Sequence, residues 1–147
     1  DVSYLSRKGF EDLCALTDQP FVASHSNAYA VCPNPRNLTD EQIKEIIRRG
    51  GLIGLNFHMP FLALSDQDGY APILHHAEHI LSLGGERVLA IGTDIDGADL
   101  SPQLTGPDGL RGLYDEMCRV FPKTRVDEIF YYNTFRFFKS KIGVAHP

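Results

Sequence analysis

The chain has 147 residues, the length of one compact domain, since domains commonly contain ~100–150 residues. Its 43% hydrophobic and 22% charged residues are typical of a folded globular protein and exclude wholesale disorder. The formal net charge of −5 argues against a nucleic-acid-binding protein, because such proteins present a basic surface to phosphate.

The cysteines and the apolar segments restrict the class of protein further. None of the three cysteines lies in a CxxC pair, which excludes a cysteine-rich zinc module and a disulfide-dense scaffold and favours a reducing compartment. No apolar run approaches the ~20 residues of a membrane-spanning helix, and there is no secretory hydrophobic region. We therefore expect a cytoplasmic protein without a membrane segment.

Short apolar runs alternate with amphipathic segments along the chain. The apolar runs are continuously hydrophobic, as expected for strands covered on both faces, and the amphipathic segments place apolar residues at helical spacing. In chain order the pattern predicts the tail of a strand at residues 1–4, a helix at 7–17 and a strand at 21–23. A Thr39–Gln42 capping box opens the next helix, which ends at Gly50, and a strand at 52–57 and a helix at 71–83 follow. The remaining elements are a strand at 88–92, a loop at 99–108, and helices at 109–121 and 125–142. This order indicates βαβ units around a parallel sheet.

Polar residues follow three of these predicted strands, at residues 24–27, 56–58 and 93–97. Parallel α/β folds place functional residues at the carboxyl ends of their strands. His25 and Asp94 therefore suit a metal-assisted hydrolase, in which an imidazole binds the cation and a free carboxylate moves protons. The alternative for each cluster alone is structural: a histidine bonded to a neighbouring loop, or an Asp-x-Asp-Gly turn.

Two further features have both a functional and a structural interpretation. Arg36 lies on a Pro-containing loop after the His25 strand, where its guanidinium could clamp a substrate carboxylate or form a surface ion pair. His76 and His79 share a helix face at i,i+3, a spacing that could hold a metal. The alternative is that they are helix-surface or interface histidines, since they lie in mid-helix rather than at a strand end.

Several motifs that occur together resemble those of the membrane (renal) dipeptidase family. They are Asp1-Val2-Ser3, Ala23-Ser24-His25-Ser26-Asn27-Ala28, Cys32, Arg36-Asn37-Leu38-Thr39-Asp40-Glu41, Asn56-Phe57, His76-x-x-His79, Gly92-Thr93-Asp94-Ile95-Asp96-Gly97 and Asn133-x-x-Arg136. The resemblance extends nearly from end to end. The joint occurrence of Ser-His-Ser-Asn, the Arg-Asn turn and Gly-x-Asp-x-Asp-Gly at these separations is specific.

The resemblance implies a TIM-type (β/α)8 barrel with a binuclear zinc centre that hydrolyses dipeptides by means of a metal-activated water. It places His25 on a zinc ligand, Asp94 on the catalytic aspartate and Arg36 on the residue that binds the substrate carboxylate. A whole barrel needs ~250 residues. Residues 1–147 therefore resemble a single region, the carboxyl-terminal half, with about four parallel strands and flanking helices. The family's His-x-Asp motif, bridging glutamate and a further histidine have no equivalent here.

Tyr4 departs from the family pattern, which has a zinc-binding histidine at this position. A phenol with a pKa of ~10 is a poor zinc ligand near neutral pH, so we expect one or two zinc ions. Two functions remain open: zinc-dependent hydrolysis of dipeptides as part of a complete barrel, or a catalytically silent relative that is a binding or structural module. A generic α/β binding domain is a third possibility.

The expected partners are a dipeptide substrate and a second polypeptide. Half a barrel leaves unpaired N–H and C=O groups at its sheet edges, and such edges favour association with another chain. We therefore expect the chain to pair with the missing amino-terminal half of the barrel, or with copies of itself, rather than to form a stable monomer.

Overall fold

Three short parallel strands form one sheet in the part of the chain that the computed structural model describes, residues 1–63 and 69–141. The strands are Val22–Ala23 (β1), Leu52–Leu55 (β2) and Leu89–Ile91 (β3). Their spatial order follows the chain, β1–β2–β3, and both pairings are parallel. The prediction of a parallel α/β sheet is confirmed, with three strands in the described residues where about four were expected.

Helices connect the strands and follow the last one. They are Arg7–Leu16 (α1), Asp40–Arg48 (α2), Met59–Leu62 (α3), Ala71–Ser82 (α4), Gly106–Val120 (α5), Lys123–Asp127 (α6) and Asn133–Lys141 (α7), with a 3-10 turn at Pro102–Leu104 and a π-helical turn at Glu128–Tyr132. The predicted capping box opens α2: the Gln42 N–H donates to Thr39 Oγ1 (3.4 Å) and the Thr39 N–H donates to Gln42 Oε1 (2.9 Å).

The sequence predicts the tail of a strand at residues 1–4; the structure assigns no strand to these residues, and Ser3 and Tyr4 lie in a turn. The Asp1 carboxylate accepts the Ser3 N–H (2.9 Å), and the Leu5 N–H donates to the Val2 carbonyl (3.1 Å), which closes the turn. The Val2 N–H also donates to the Val22 carbonyl (2.8 Å). The segment therefore lies beside β1 without continuing the sheet.

The helices after β3 also differ from the prediction. α5 begins at Gly106, inside the predicted 99–108 loop, and the π-helical turn separates α6 from α7 where one helix was expected. The predicted end of that helix at residue 142 lies outside the described residues. The four-residue α3, between β2 and α4, was not predicted.

The core surrounds β2, whose four residues are all buried, as predicted for a strand covered on both faces. Fully buried side chains from α2 and α4 belong to the same core, among them Ile43, Ile46, Ile73 and Ile80. Burying each such side chain contributes ~1.5–3 kcal/mol relative to leaving it exposed. The packed core therefore holds the strands in place and, with them, the polar residues that follow their carboxyl ends.

Two glycines let the strand ends approach each other closely. A Cβ on Gly54 would lie 2.2 Å from the Ser24 carbonyl oxygen, and a Cβ on Gly92 would lie 2.0 Å from the same oxygen. No side chain fits at such distances without movement of the backbone. Glycine at both positions therefore allows the end of β1 to lie directly against β2 and β3.

Candidate functional site

The polar residues that follow the three strands meet at the carboxyl edge of the sheet. The Asn56 side chain joins them, because its Nδ2 lies 3.4 Å from the His25 carbonyl oxygen and 3.3 Å from Asp94 Oδ2. Asn27 holds Asn56 in turn, accepting its N–H at Oδ1 (3.1 Å) and donating to its carbonyl from Nδ2 (3.0 Å). Both asparagines are fully buried, so the bonds between them are shielded from water.

His25 is held by a chain of hydrogen bonds that begins at Asp1. The Asp1 carboxylate binds the Ser24 hydroxyl, and Ser24 Oγ lies 2.8 Å from His25 Nδ1. The His25 N–H donates to Ser3 Oγ (3.2 Å). The imidazole is therefore oriented from both its ring and its backbone.

This chain of bonds sets the tautomer of His25. An ionised carboxylate only accepts hydrogen bonds, so the Ser24 hydroxyl donates to Asp1 and accepts from His25 Nδ1–H. The lone pair of the neutral ring is then on Nε2, a buried atom with no hydrogen-bond partner among the described residues. Metal-binding histidines have this arrangement, with one nitrogen bonded to an oxygen and the other free. His25 thus fits the role of a zinc ligand.

Tyr4 covers the His25 imidazole and supports Arg36. The Tyr4 ring meets His25 edge-on, with ring centroids 5.0 Å apart. The Tyr4 ring also contacts Arg36, whose guanidinium carbon lies 3.8 Å from the ring centroid. Asn34 Oδ1 accepts the Arg36 N–H (3.0 Å), which fixes the loop. Arg36 forms no ion pair with any described residue, so the alternative of a surface ion pair finds no support.

Asp94 has a left-handed backbone, with φ of 62°, an unfavourable conformation for a residue with a side chain. Its carbonyl accepts the Gly97 N–H (3.1 Å), so the Asp-x-Asp-Gly segment does form the turn that was the structural alternative. The turn also directs the carboxylate to Asn56. A Cβ on residue 97 would lie 2.9 Å from Asp94 Oδ1, so glycine there leaves room beside that oxygen.

His76 and His79 are structural, which rules out the metal-binding alternative for this pair. His76 is fully buried, with Nδ1 accepting the Ala28 N–H (3.1 Å) and Nε2 lying 3.0 Å from the Leu62 carbonyl oxygen. Burial lowers the pKa of His76 to about 4, so the ring is neutral and both nitrogens are occupied. His79 Nε2 lies 2.8 Å from Asp40 Oδ1 and joins α4 to α2, as expected for an interface histidine.

The sequence pattern assigns no role to three residues that organise the site. Ser24 and Asn56 lie within the strand-end clusters, and an asparagine directly after a buried strand is a usable signal for a linking amide. Asp1 lies 23 residues from Ser24, and no local pattern predicts that contact.

The described residues lack two features, a cluster of metal ligands and a membrane-spanning helix. Residues 1–63 and 69–141 contain no group of three or more His, Cys, Asp or Glu side chains that could hold a metal ion. A zinc ion at His25 would therefore need ligands from outside this set. Within the same residues, every helix is too short or too polar to cross a bilayer. A cytoplasmic location stays a prediction.

The sequence of this chain places it in a known family of hydrolases. A sequence model of the membrane dipeptidases, peptidase family M19, matches residues 1–146. The chain therefore belongs to the membrane dipeptidase family, and the family assignment made from its motifs is confirmed. Because this is a family of peptidases, a generic α/β binding domain unrelated to hydrolases is not supported.

Relatives and solved structures agree with this assignment. An uncharacterised Klebsiella pneumoniae protein from the pqqA 5′ region is 36% identical over 145 residues, which are 95% of this chain and 54% of that protein. A Schizosaccharomyces pombe protein described as an uncharacterised dipeptidase is 30% identical over 84% of this chain and 30% of its own length. The chain thus spans about half of the Klebsiella protein, and less of the other.

Two crystal structures of metallopeptidases share the fold. The M19 dipeptidase AC superposes with a TM-score of 0.88 at 35% identity, over 95% of this chain and 43% of its own. A Rhodobacter sphaeroides metallopeptidase, liganded with a phosphinate mimic of the dipeptide L-Ala-D-Ala, has the same TM-score and identity over 95% of this chain and 41% of its own.

Proposed function

We propose that residues 1–147 are one region, the carboxyl-terminal half of a TIM-type (β/α)8 barrel, and that the complete barrel performs zinc-dependent hydrolysis of dipeptides. The observation that carries this proposal is the free lone pair on buried His25 Nε2, in a residue whose backbone carbonyl shares the Asn56 amide with the Asp94 carboxylate. Membership in the M19 family supports the reaction class. The Rhodobacter relative, bound to a mimic of L-Ala-D-Ala, supports the substrate class.

Each of the three proposed site residues has one task. His25 Nε2 would hold one of one or two zinc ions, and the remaining ligands would come from the other half of the barrel. When bound, zinc lowers the pKa of a water and polarises a carbonyl. Asp94 would take a proton from the attacking water at Oδ1 and pass it to the leaving amine, while Asn56 holds Oδ2.

Arg36 would bind the terminal carboxylate of the dipeptide. Its guanidinium lies on the Tyr4 ring and is not engaged by any described carboxylate, so its donors are available for a two-pronged contact. Stacking on an aromatic ring limits the movement of the side chain, which reduces the entropy lost when a substrate binds.

The test is a dipeptide hydrolysis assay with added zinc, on this chain assembled with its missing half. Asp94→Asn should lower kcat by a factor of about a hundred or more, because it removes the proton carrier. Asp115→Asn, which changes an exposed carboxylate on α5, is the matched control and should leave kcat unchanged. No turnover in the assembled wild-type barrel contradicts the proposal.

Tyr4 favours a second function, that of a catalytically silent barrel used as a binding or structural module. Its ring lies against His25, at the position that the family pattern gives to a zinc-binding histidine. Elemental analysis of the assembled barrel separates the two functions, since two zinc ions per barrel argue against the silent form. Tyr4→His should raise the zinc content, and an unchanged content would mean that Tyr4 does not occupy a ligand position.

A further inference from the structure

The short helix α3 holds the loop that carries Arg36. The last carbonyls of a helix find no donors within it, so groups from elsewhere bind them. Asn34 Nδ2 donates to the Pro60 carbonyl (3.3 Å), and Asn37 Nδ2 donates to the Phe61 carbonyl (2.8 Å). Because Asn34 and Asn37 lie on either side of Arg36, α3 fixes the backbone of this loop at two points.

The same helix is joined to the loop that follows β3 and contains Asp94. The Met59 N–H donates to the Asp99 carbonyl (3.0 Å), and the Asp99 N–H donates to His58 Nδ1 (3.1 Å). Asp99 and Asp94 both lie between β3 and the 3-10 turn. Hydrogen bonds of α3 and its first flanking residue therefore connect the loop of the proposed carboxylate-binding arginine with the loop of the proposed proton carrier.

The Phe61 side chain extends from α3 to the Arg36 side chain. Its ring centroid lies 5.9 Å from the Arg36 guanidinium carbon, within the ~6 Å range of a cation–π contact, and Tyr4 supplies a second, closer ring. His58 meets Phe61 edge-on with ring centroids 4.5 Å apart, so the Phe61 ring is itself held in place. Phe61 is half-buried, and in the part of the chain that the structure describes it does not belong to the hydrophobic core or to the side chains packed against it.

We propose that Phe61 is a positioning residue for Arg36, an inference that rests on the proposed function, in which Arg36 binds the terminal carboxylate of the dipeptide. The rings of Phe61 and Tyr4 confine the guanidinium at the end of a long side chain, and α3 fixes the backbone that carries it. Arg36 is then held at one position relative to Asp94. In a dipeptide a single residue separates the scissile bond from the terminal carboxylate. The separation of Arg36 from Asp94 therefore selects peptides of this length, because a small displacement of a binding group misplaces the reacting bond.

The first measurement is the rate at which phenylglyoxal modifies Arg36 in the assembled barrel, followed by mass spectrometry of the peptides. A guanidinium in contact with two rings should react slowly, so Phe61→Leu should raise the rate about threefold. Phe61→Tyr keeps the ring and should react as the wild type does. Arg119, exposed on α5, is the internal reference, and its rate should stay the same in every variant.

Hydrolysis of a dipeptide gives the second measurement. Phe61→Leu should raise KM about threefold and leave kcat within about twofold, because the carboxylate contact is made equally in the ground state and in the transition state. In an Arg36→Gln background the same substitution should have no further effect, since the side chain that it positions is absent. A purely structural role of Phe61 would persist in that background. Phe121→Leu, at a half-buried phenylalanine that ends α5, is the matched control and should leave both constants unchanged.

Circular dichroism checks that each variant folds, and Phe61→Met should repeat the effects if Phe61→Leu does not fold. An unchanged rate of Arg36 modification overturns the proposal, as does an effect of Phe61→Leu on KM that is absent in the wild-type background or persists without the guanidinium. Faster modification of Arg36 in a barrel that turns over no dipeptide counts against the proposed function and leaves the positioning of Arg36 by Phe61 intact.

Discussion

The contact between α4 and its neighbours and the strand-end site each contain a buried imidazole nitrogen, and only one of these rings is fully bonded. In His76 both nitrogens have partners, the Ala28 N–H and the Leu62 carbonyl. In His25 one nitrogen binds Ser24, and the other is buried without a partner among the described residues. A histidine ring with hydrogen-bond partners on both nitrogens stabilises the fold, whereas a buried nitrogen without a partner costs free energy that a ligand can recover.

The largest effect on stability is expected from removing the His76 ring, whose two nitrogens both have hydrogen-bond partners. His76→Ala should lower the free energy of unfolding by about 4 kcal/mol, since it leaves a cavity and strands two buried backbone groups. Urea denaturation of the assembled barrel measures the change. A loss below about 1 kcal/mol would mean that His76 does not hold this contact together.

Acid should weaken the same contact through the titration of His76. Its pKa is about 4 in the folded chain, against an ordinary value of 6.5, because burial and the nearby His79 and His75 disfavour the charged ring. The unfolded chain therefore binds a proton first, so this contribution to stability is complete above pH 6.5 and decreases as the pH falls towards 4, by at most about 3 kcal/mol.

His76→Gln is the control for the pH effect, because glutamine can donate and accept but does not titrate. Between pH 7 and pH 4 the free energy of unfolding, measured from denaturation curves, should fall more steeply for the wild type than for this variant. Parallel curves would assign the acid sensitivity to other groups.

Closing the gap between strand ends should cost less. Gly54→Ala introduces a Cβ 2.2 Å from the Ser24 carbonyl oxygen and should destabilise the chain by about 2 kcal/mol while displacing His25. Gly9→Ala is the matched control, because its Cβ would meet only ordinary contacts at 3.4 Å or more on α1. Gly9→Ala should be neutral or slightly stabilising in the same urea denaturation. A Gly54→Ala variant as stable as the wild type would contradict the close approach of the Ser24 carbonyl to Gly54.

The smallest loss of stability is expected at the His25 ring, which has a hydrogen-bond partner on one nitrogen only. His25→Ala should lower the free energy of unfolding by about 1 kcal/mol, because loss of the Ser24 hydrogen bond and the Tyr4 contact is partly offset by removal of a buried nitrogen that lacks a partner. The zinc content of the assembled barrel should fall at the same time, as elemental analysis can measure. His75→Ala, at an exposed position of α4, should retain the zinc. A His25→Ala variant with full zinc content would exclude His25 as a ligand.

Features set by neighbouring residues were predictable from the sequence. The Thr39–Gln42 capping box spans four consecutive residues, and both of its hydrogen bonds are present. The three aliphatic residues and the glycine of β2 indicated a strand buried on both faces, and all four residues are buried. Such signals depend on local spacing, which a sequence displays directly.

Features set by distant contacts were not predictable. The Arg36–Tyr4 stack and the Asp1–Ser24 bond join residues far apart in the chain, so no spacing in the sequence indicates them.

The start of α5 was missed for a local reason: Gly106 and Pro107 are typical of a loop, although α5 begins there. Proline in the first turn of a helix is common, and that signal would have corrected the boundary.

The π-helical turn at Glu128–Tyr132 fixes how the last helix is rotated about its own axis. Such a turn accommodates one residue more than an α-helical turn, and one residue corresponds to a rotation of roughly 100°. Deleting a residue here would turn Asn133 away from the Leu89 carbonyl and Phe135 away from its present side of the helix. A one-residue change in chain length would thus break the Asn133–Leu89 contact and move the exposed rings of Phe135 and Phe138 together, although none of these side chains was itself substituted.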